Sequence, residues 1–214
     1  MSKQSTSFSA LCERVLATPR KSKRCVVALA GAPGSGKSTL ADRLAQWLSD
    51  CGTSTQVVPM DGFHLDNRLL REMGLLDRKG APETFDSQGF GRLVAALGAE
   101  TPVYYPVFDR SRDIAIAGAG VLDTECDTVI VEGNYLLLDA PDWRNLSNLW
   151  DLKVNLTVPE TVLRQRLVDR WLAEGLAPKD AMARAEGNDL ANARRCIAES
   201  LPCDVAFENT DGLN

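Results

Sequence analysis

Histidine is almost missing from these 214 residues: there is one, His64. The six cysteines, Cys12, Cys25, Cys51, Cys126, Cys196 and Cys203, are scattered and form no C-x-x-C pair, so the donor spacing of a structural zinc site is absent as well. No run approaches the ~18 consecutive apolar residues of a membrane span, and no signal-type apolar stretch precedes the basic cluster Arg20-Lys21-Ser22-Lys23-Arg24. A net charge of −5 gives no overall basic field, so neither nucleic acid nor a membrane is expected as a partner. The basic cluster itself reads as a solvated turn in an acidic chain. Unpaired thiols without a targeting segment point to a cytoplasmic protein with reduced cysteines. No internal repeat or low-complexity tract interrupts the chain, and its 44% hydrophobic content suits one α/β domain with a sizeable core.

What is present is more specific. Gly31-Ala32-Pro33-Gly34-Ser35-Gly36-Lys37-Ser38-Thr39 is a complete G-x-x-x-x-G-K-[ST] phosphate loop. It follows the apolar run Cys25 to Ala30 and precedes Leu40, Leu44, Trp47 and Leu48 at helical spacing, the strand–loop–helix setting that the motif requires. Glycines let backbone N–H groups crowd the phosphates, the helix aims its positive end at them, Lys37 reaches the β- and γ-phosphates, and Ser38 offers a hydroxyl to Mg²⁺. The chain is therefore expected to bind a nucleoside triphosphate.

Short apolar strands alternate with helical segments. The pattern predicts a helix over Phe8 to Leu16, strands at Gln56 to Met60, Thr128 to Val131, Leu152 to Val158 and Asp204 to Phe207, and helices at Leu65 to Met73, Phe90 to Leu97, Pro159 to about Glu174 and Pro178 to Ser200. Leu76 to Phe85 reads as loop. Val103 to Phe108 carries an internal proline, which places it at an edge or in a hairpin with Ile114 to Leu122. This is a three-layer αβα phosphate-loop NTPase fold with a mostly parallel sheet and a small hairpin insertion. Ligands of such sheets bind at the carboxyl ends of the strands, where Lys37, Asp61 and Glu132 fall.

Asp61, before Gly62, either accepts the proton of an attacking hydroxyl, shares in holding Mg²⁺, or satisfies a local Asp-Gly turn. Glu132 ends a Walker-B-like strand and would help hold Mg²⁺; its alternative is a solvated strand end. Arg166 and Arg170, one helical turn apart, form either a lid over the phosphates or an exposed basic face. His64 is an acceptor contact or a satisfied turn residue. Asp109, Arg110, Arg112 and Asp113 line a polar pocket or decorate a hairpin tip.

The segments Met60-Asp61-Gly62-Phe63-His64-Leu65-Asp66, Lys79-Gly80-Ala81-Pro82-Glu83-Thr84-Phe85-Asp86, Pro106-Val107-Phe108-Asp109-Arg110 and Val131-Glu132-Gly133-Asn134-Tyr135 resemble the phosphoribulokinase, uridine kinase and pantothenate kinase group of phosphate-loop kinases over nearly the whole length. Within it the chain is most similar to bacterial proteins named fructose-transport-system kinases or nucleoside/nucleotide kinase-like proteins. The resemblance implies that Asp61 is the catalytic carboxylate, Glu132 the magnesium-associated acid, and Arg166 and Arg170 the lid arginines. It makes His64, Asp109 and Arg110 acceptor-pocket candidates, and Asn188, Asp189 and Asn192 polar contacts on a late helix. Uridine kinases carry Ser and Tyr where this chain has Gly62 and His64.

The expectation is thus one kinase domain over residues 1–214, with an acceptor-side hairpin at about 100–124 and a lid at about 160–185. It would use ATP and Mg²⁺ to phosphorylate a small-molecule hydroxyl, on a sugar-like metabolite or a nucleoside. The alternative is an ATP-binding regulatory or transport-accessory switch with weak ATPase activity. Absence of an Asn-Lys-x-Asp motif argues against a GTPase.

Overall fold

Strands of almost unbroken aliphatic residues set the architecture. In a computed structural model describing residues 6–209, β1 (Cys25–Gly31) and β5 (Thr128–Gly133) are buried at every position. With β2 (Thr55–Pro59), β6 (Leu152–Thr157) and β7 (Val205–Glu208) they form a five-stranded sheet in the order β2-β5-β1-β6-β7, every pair parallel. Strands buried on both faces need a helical layer on each. Alternate β1 residues go to opposite layers, as a strand's two-residue period requires. Val26, Ala28 and Ala30 pack with Phe90 and Trp143, whereas Val27 and Leu29 pack with Leu11, Leu40, Leu44 and Leu48.

The helices are α1 (Phe8–Leu16), α2 (Lys37–Asp50), α3 (Asn67–Glu72), α4 (Ser87–Ala96), α5 (Glu160–Ala173), α6 (Pro178–Arg184) and α7 (Leu190–Ala198). Strand two stops at Pro59 and Met60 opens a 3₁₀ turn; Asp66 caps α3 through Arg68 N at 2.8 Å, so that helix is shorter than its sequence pattern. The stretch from Leu76 holds two short 3₁₀ turns. The late helix runs through residues 178–198 as its pattern suggests, with one turn of π-type hydrogen bonding inside it. A π-turn, Ala185–Asp189, separates α6 from α7 and carries Asn188 and Asp189 inward as buried polar groups.

Strands β3 (Val103–Asp109) and β4 (Ile114–Leu122) make a separate antiparallel hairpin whose register shifts between Tyr105 and Val107, at Pro106. A proline without an N–H is accommodated where the ladder is already broken. The base of the hairpin is fixed by Arg24, which is not part of a solvated turn. It is 0% exposed, and its guanidinium donates to the carbonyls of Leu97, Ala99, Thr101 and Asp123. Four carbonyls replace its water, so the charge can be buried without a carboxylate.

Candidate active site

The phosphate loop is shaped by glycines. Gly34 and Gly36 have φ of +77° and +91°, in the left-handed region that side chains avoid. Gly31 sits so near β6 that a Cβ there would lie 2.9 Å from the Leu156 carbonyl oxygen. Helix α2 starts directly at Lys37. The Lys37 ammonium is only 8% exposed and donates to the Ala32 carbonyl at 3.1 Å and to Asn134 Oδ1 at 2.6 Å. Burial lowers its pKa, against the opposing pull of Glu132 and Asp61.

Glu132 terminates the buried run of β5, as its position after four β-forming residues suggested, and accepts a hydrogen bond from Ser38 Oγ at 3.2 Å. Burial raises its pKa, with Lys37 opposing. Lysine and glutamate are therefore both disfavoured as ions by the same lack of water. A triphosphate beside Lys37 and a cation beside Glu132 would relieve both. Ser35 Oγ is also buried without a protein partner. A hydroxyl and two carboxylates, Ser38, Glu132 and Asp61, suit Mg²⁺, which keeps several waters and takes its other ligands from phosphate. These residues fit Mg²⁺ and a nucleoside triphosphate.

Asp61 lies on the 3₁₀ turn Met60–Phe63 that follows β2. Its Oδ2 accepts from Arg110 Nη2 at 2.7 Å, bringing the hairpin end to the carboxylate. Gly62 makes that approach possible, since a Cβ there would stand 2.0 Å from the Pro106 carbonyl oxygen. Ser38, Asp61, Phe108, Arg110 and Glu132 line a single cleft of about 190 Å³. Arg110 reaches the cleft from the surface, with 70% of its side chain open to solvent.

His64 is beside this cleft, its ring centroid 4.0 Å from that of Phe85 and 4.6 Å from that of Phe108. Its Nδ1 is 2.7 Å from the Asp61 carbonyl oxygen, and burial lowers its pKa. Asp109 turns toward the hairpin tip, where Oδ1 accepts from Ser111 Oγ at 2.7 Å and Arg112 N at 3.1 Å. Lys79 was not singled out by spacing. It donates to Asn67 Oδ1 at 2.7 Å, pairs with Asp113 at 2.8 Å, and lies 5.1 Å from the Phe108 ring centroid.

The two arginines of α5 occupy different places. Arg166 Nη1 donates to the Ser35 carbonyl at 3.1 Å, directly on the phosphate loop. Arg170 is held away: its Nη2 meets Asp189 Oδ2 at 2.9 Å, and the same oxygen accepts from Trp171 Nε1 at 2.6 Å. Arg170 Nε is buried without a partner. Asn188 donates to the Lys79 carbonyl at 2.9 Å and accepts from Asn192 at 3.3 Å, so the π-turn ties the late helix to the Lys79 loop. Asn134, the ammonium's partner, and Arg24 also escaped the sequence patterns, because neither a lone asparagine nor a basic run signals burial.

The sequence profile of an AAA-domain family matches residues 27–178, well over half of the chain. The chain belongs to this AAA-domain family. Within the phosphate-loop proteins it is a member of the phosphoribulokinase, uridine kinase and pantothenate kinase group. A Schizosaccharomyces pombe protein provisionally named a uridine kinase is 34% identical over 200 residues, covering 87% of this chain and 84% of the relative. A pantothenate kinase of Clavibacter michiganensis is 29% identical over 83% of this chain and 60% of its own length. Among solved structures, a protein from Silicibacter sp. TM1040, provisionally described as a fructose transport system kinase, shares 58% identity and superposes with a TM-score of 0.91 over 94% of this chain and 98% of that one.

Proposed function

We propose that the chain is an ATP- and Mg²⁺-dependent kinase that moves the γ-phosphoryl group to a hydroxyl of a sugar-like metabolite or a nucleoside. The observation that carries this reading is the single cleft shared by Ser38, Asp61, Arg110 and Glu132, next to a buried phosphate-loop lysine. A nucleotide switch needs the loop and the lysine. It has no need of a carboxylate and an arginine placed together on the acceptor side.

In this reading the loop from Gly31 to Thr39 holds the phosphates through backbone N–H groups, and Lys37 exchanges Asn134 for phosphate oxygens. Ser38 and Glu132, with Asp61, would hold Mg²⁺, which when bound neutralises charge on the phosphates. Asp61 accepts the acceptor's proton, and Arg110 orients that acceptor as it gives up its contact with the carboxylate. His64 backs the acceptor side from behind Phe108, and Asp109, turned to the hairpin tip rather than into the cleft, holds the turn that carries Arg110. Arg166 and Arg170 belong to a lid over residues 160–185 that stabilises charge during transfer. Catalysis is then mostly positioning and electrostatics. The kinase names of the relatives support this reading. The acceptor preference rests on vicinal hydroxyls matching a carboxylate and a guanidinium, with Phe108 in the cleft wall available to a sugar face or a base.

The test is ADP formation by the purified protein with ATP and Mg²⁺ across sugars, nucleosides and pantothenate. ADP release that depends on one of these acceptors is expected. Slow hydrolysis indifferent to every acceptor would establish the switch instead.

A further inference from the structure

A second cavity, also about 190 Å³, opens at the same edge of the sheet and shares no lining residue with the Asp61 cleft. Its walls include Gly31 and Ala32 of the phosphate loop, Asn134, Asn155 on β6, and Cys196 and Ile197 on α7. Its space follows from the sequence. Asn155 pairs in register with Ala30 on β1 and Ala206 on β7, so two methyl groups flank it on its face of the sheet where larger side chains would fill the gap. Asn155 is also a half-buried polar residue in the cavity wall, on a strand paired on both sides. Among the described residues, no charged side chain lines the cavity.

We propose that this cavity is a small-molecule effector site for a compact, uncharged, mostly aliphatic ligand bearing one hydrogen-bonding group, which the Asn155 amide recognises. Cavities of about 150 Å³ already hold a benzene-sized ligand, so the volume is sufficient. Occupancy would be felt at the ATP site, because Ala32 and Asn134, both in the wall, are the two partners of the Lys37 ammonium.

Cyclopentanone serves as a probe: it is neutral, carries one carbonyl acceptor and has no hydroxyl to phosphorylate. Titrated into the full isotope-labelled chain, it should shift the Asn155 side-chain amide and the Ile197 methyl resonances saturably. Asn155→Leu keeps the bulk and removes the amide, and should weaken binding about three- to tenfold, the worth of one neutral hydrogen bond. Ile197 is 56% exposed at the rim, so Ile197→Trp should block entry with an unchanged thermal midpoint. Saturating probe should alter the dissociation constant for ATP in the wild type and not in Ile197→Trp. Unsaturable shifts, equal shifts in both variants, or shifts centred on Phe108 would overturn the site. An unchanged ATP affinity at saturation would overturn the effector role. Neither readout depends on phosphoryl transfer.

Discussion

The phosphate loop and the parts that face it are held by different means. The loop is fixed by backbone: glycines at positive φ, a buried strand before it and a helix starting at Lys37. The hairpin and the lid are fixed by charged side chains gripping one another, Arg110 on Asp61, Lys79 on Asp113, Arg170 on Asp189. Backbone geometry is ready before a ligand arrives. Each of these pairs keeps one partner at least a third exposed, Arg110, Asp113 or Arg170, so a ligand arriving from solvent can compete for it more readily than for backbone geometry. In the proposed reading, the difference separates a preformed phosphate cradle from acceptor and lid groups that would change partners.

The largest expected effect comes from breaking the cradle. Lys37→Ala should lower turnover by about 10²–10³-fold, since the ammonium balances charge as the bridging bond breaks. Steady-state ADP release by the folded variant is the measurement, and wild-type turnover would remove the loop from the chemistry.

Asp61→Asn tests the other half of the comparison. The amide keeps the shape and can still meet Arg110, but it cannot take a proton. ATP binding by calorimetry should persist while acceptor-dependent turnover falls by about 10²-fold or more. Turnover within a few-fold of wild type would make Asp61 a turn residue.

The two arginines sharpen the contrast within the lid. Arg166 already rests on the Ser35 carbonyl, so Arg166→Ala should weaken ATP binding and turnover together. Arg170 is held by Asp189 and must leave it to reach phosphate, so Arg170→Ala should reduce turnover, about tenfold, more than affinity. Equal, negligible changes in both would return α5 to a solvated face.

The same division explains what could be read from the sequence. Strand and loop positions follow from local rules, and β1, β4, β5, the phosphate loop and the proline-broken hairpin lie where periodicity and Pro106 place them. Glu132 and Asp61 were accessible as strand-end carboxylates. Long-range partners were not, because pairings such as Arg24 with the hairpin base, or Asn134 with Lys37, join segments about a hundred residues apart. The π-turn within the late helix was equally hidden. Residues 178–198 keep a helical pattern throughout, and nothing in it marks the π-turn that sets Asp189 against Arg170 and Trp171.

The smallest predicted effect concerns His64, which belongs to the exchangeable side yet has its half-buried ring shielded by two phenylalanines. Its pKa lies below the ordinary 6.5, first because Phe85 and Phe108 exclude water. Lys79 and Arg110 push the same way, and the Asp61 carboxylate and carbonyl oppose them. Between the folded pKa and 6.5 the unfolded chain holds a proton that the folded chain does not. Stability from this group is therefore complete above about pH 6.5 and declines as pH falls toward the folded value. Glu132 acts in the opposite sense: its folded pKa is above 4.5, so its contribution declines as pH rises through that window. The two slopes partly cancel where they overlap, so the wild-type curve alone cannot isolate the imidazole. The difference between wild type and His64→Gln can, because only one of the slopes is removed. Urea unfolding from about pH 7.5 down to about pH 5.5 should show the wild type losing stability faster than the variant. Parallel curves would mean that His64 takes up its proton in the folded protein as readily as in water, and would place it with the solvent-exchanging groups of the hairpin.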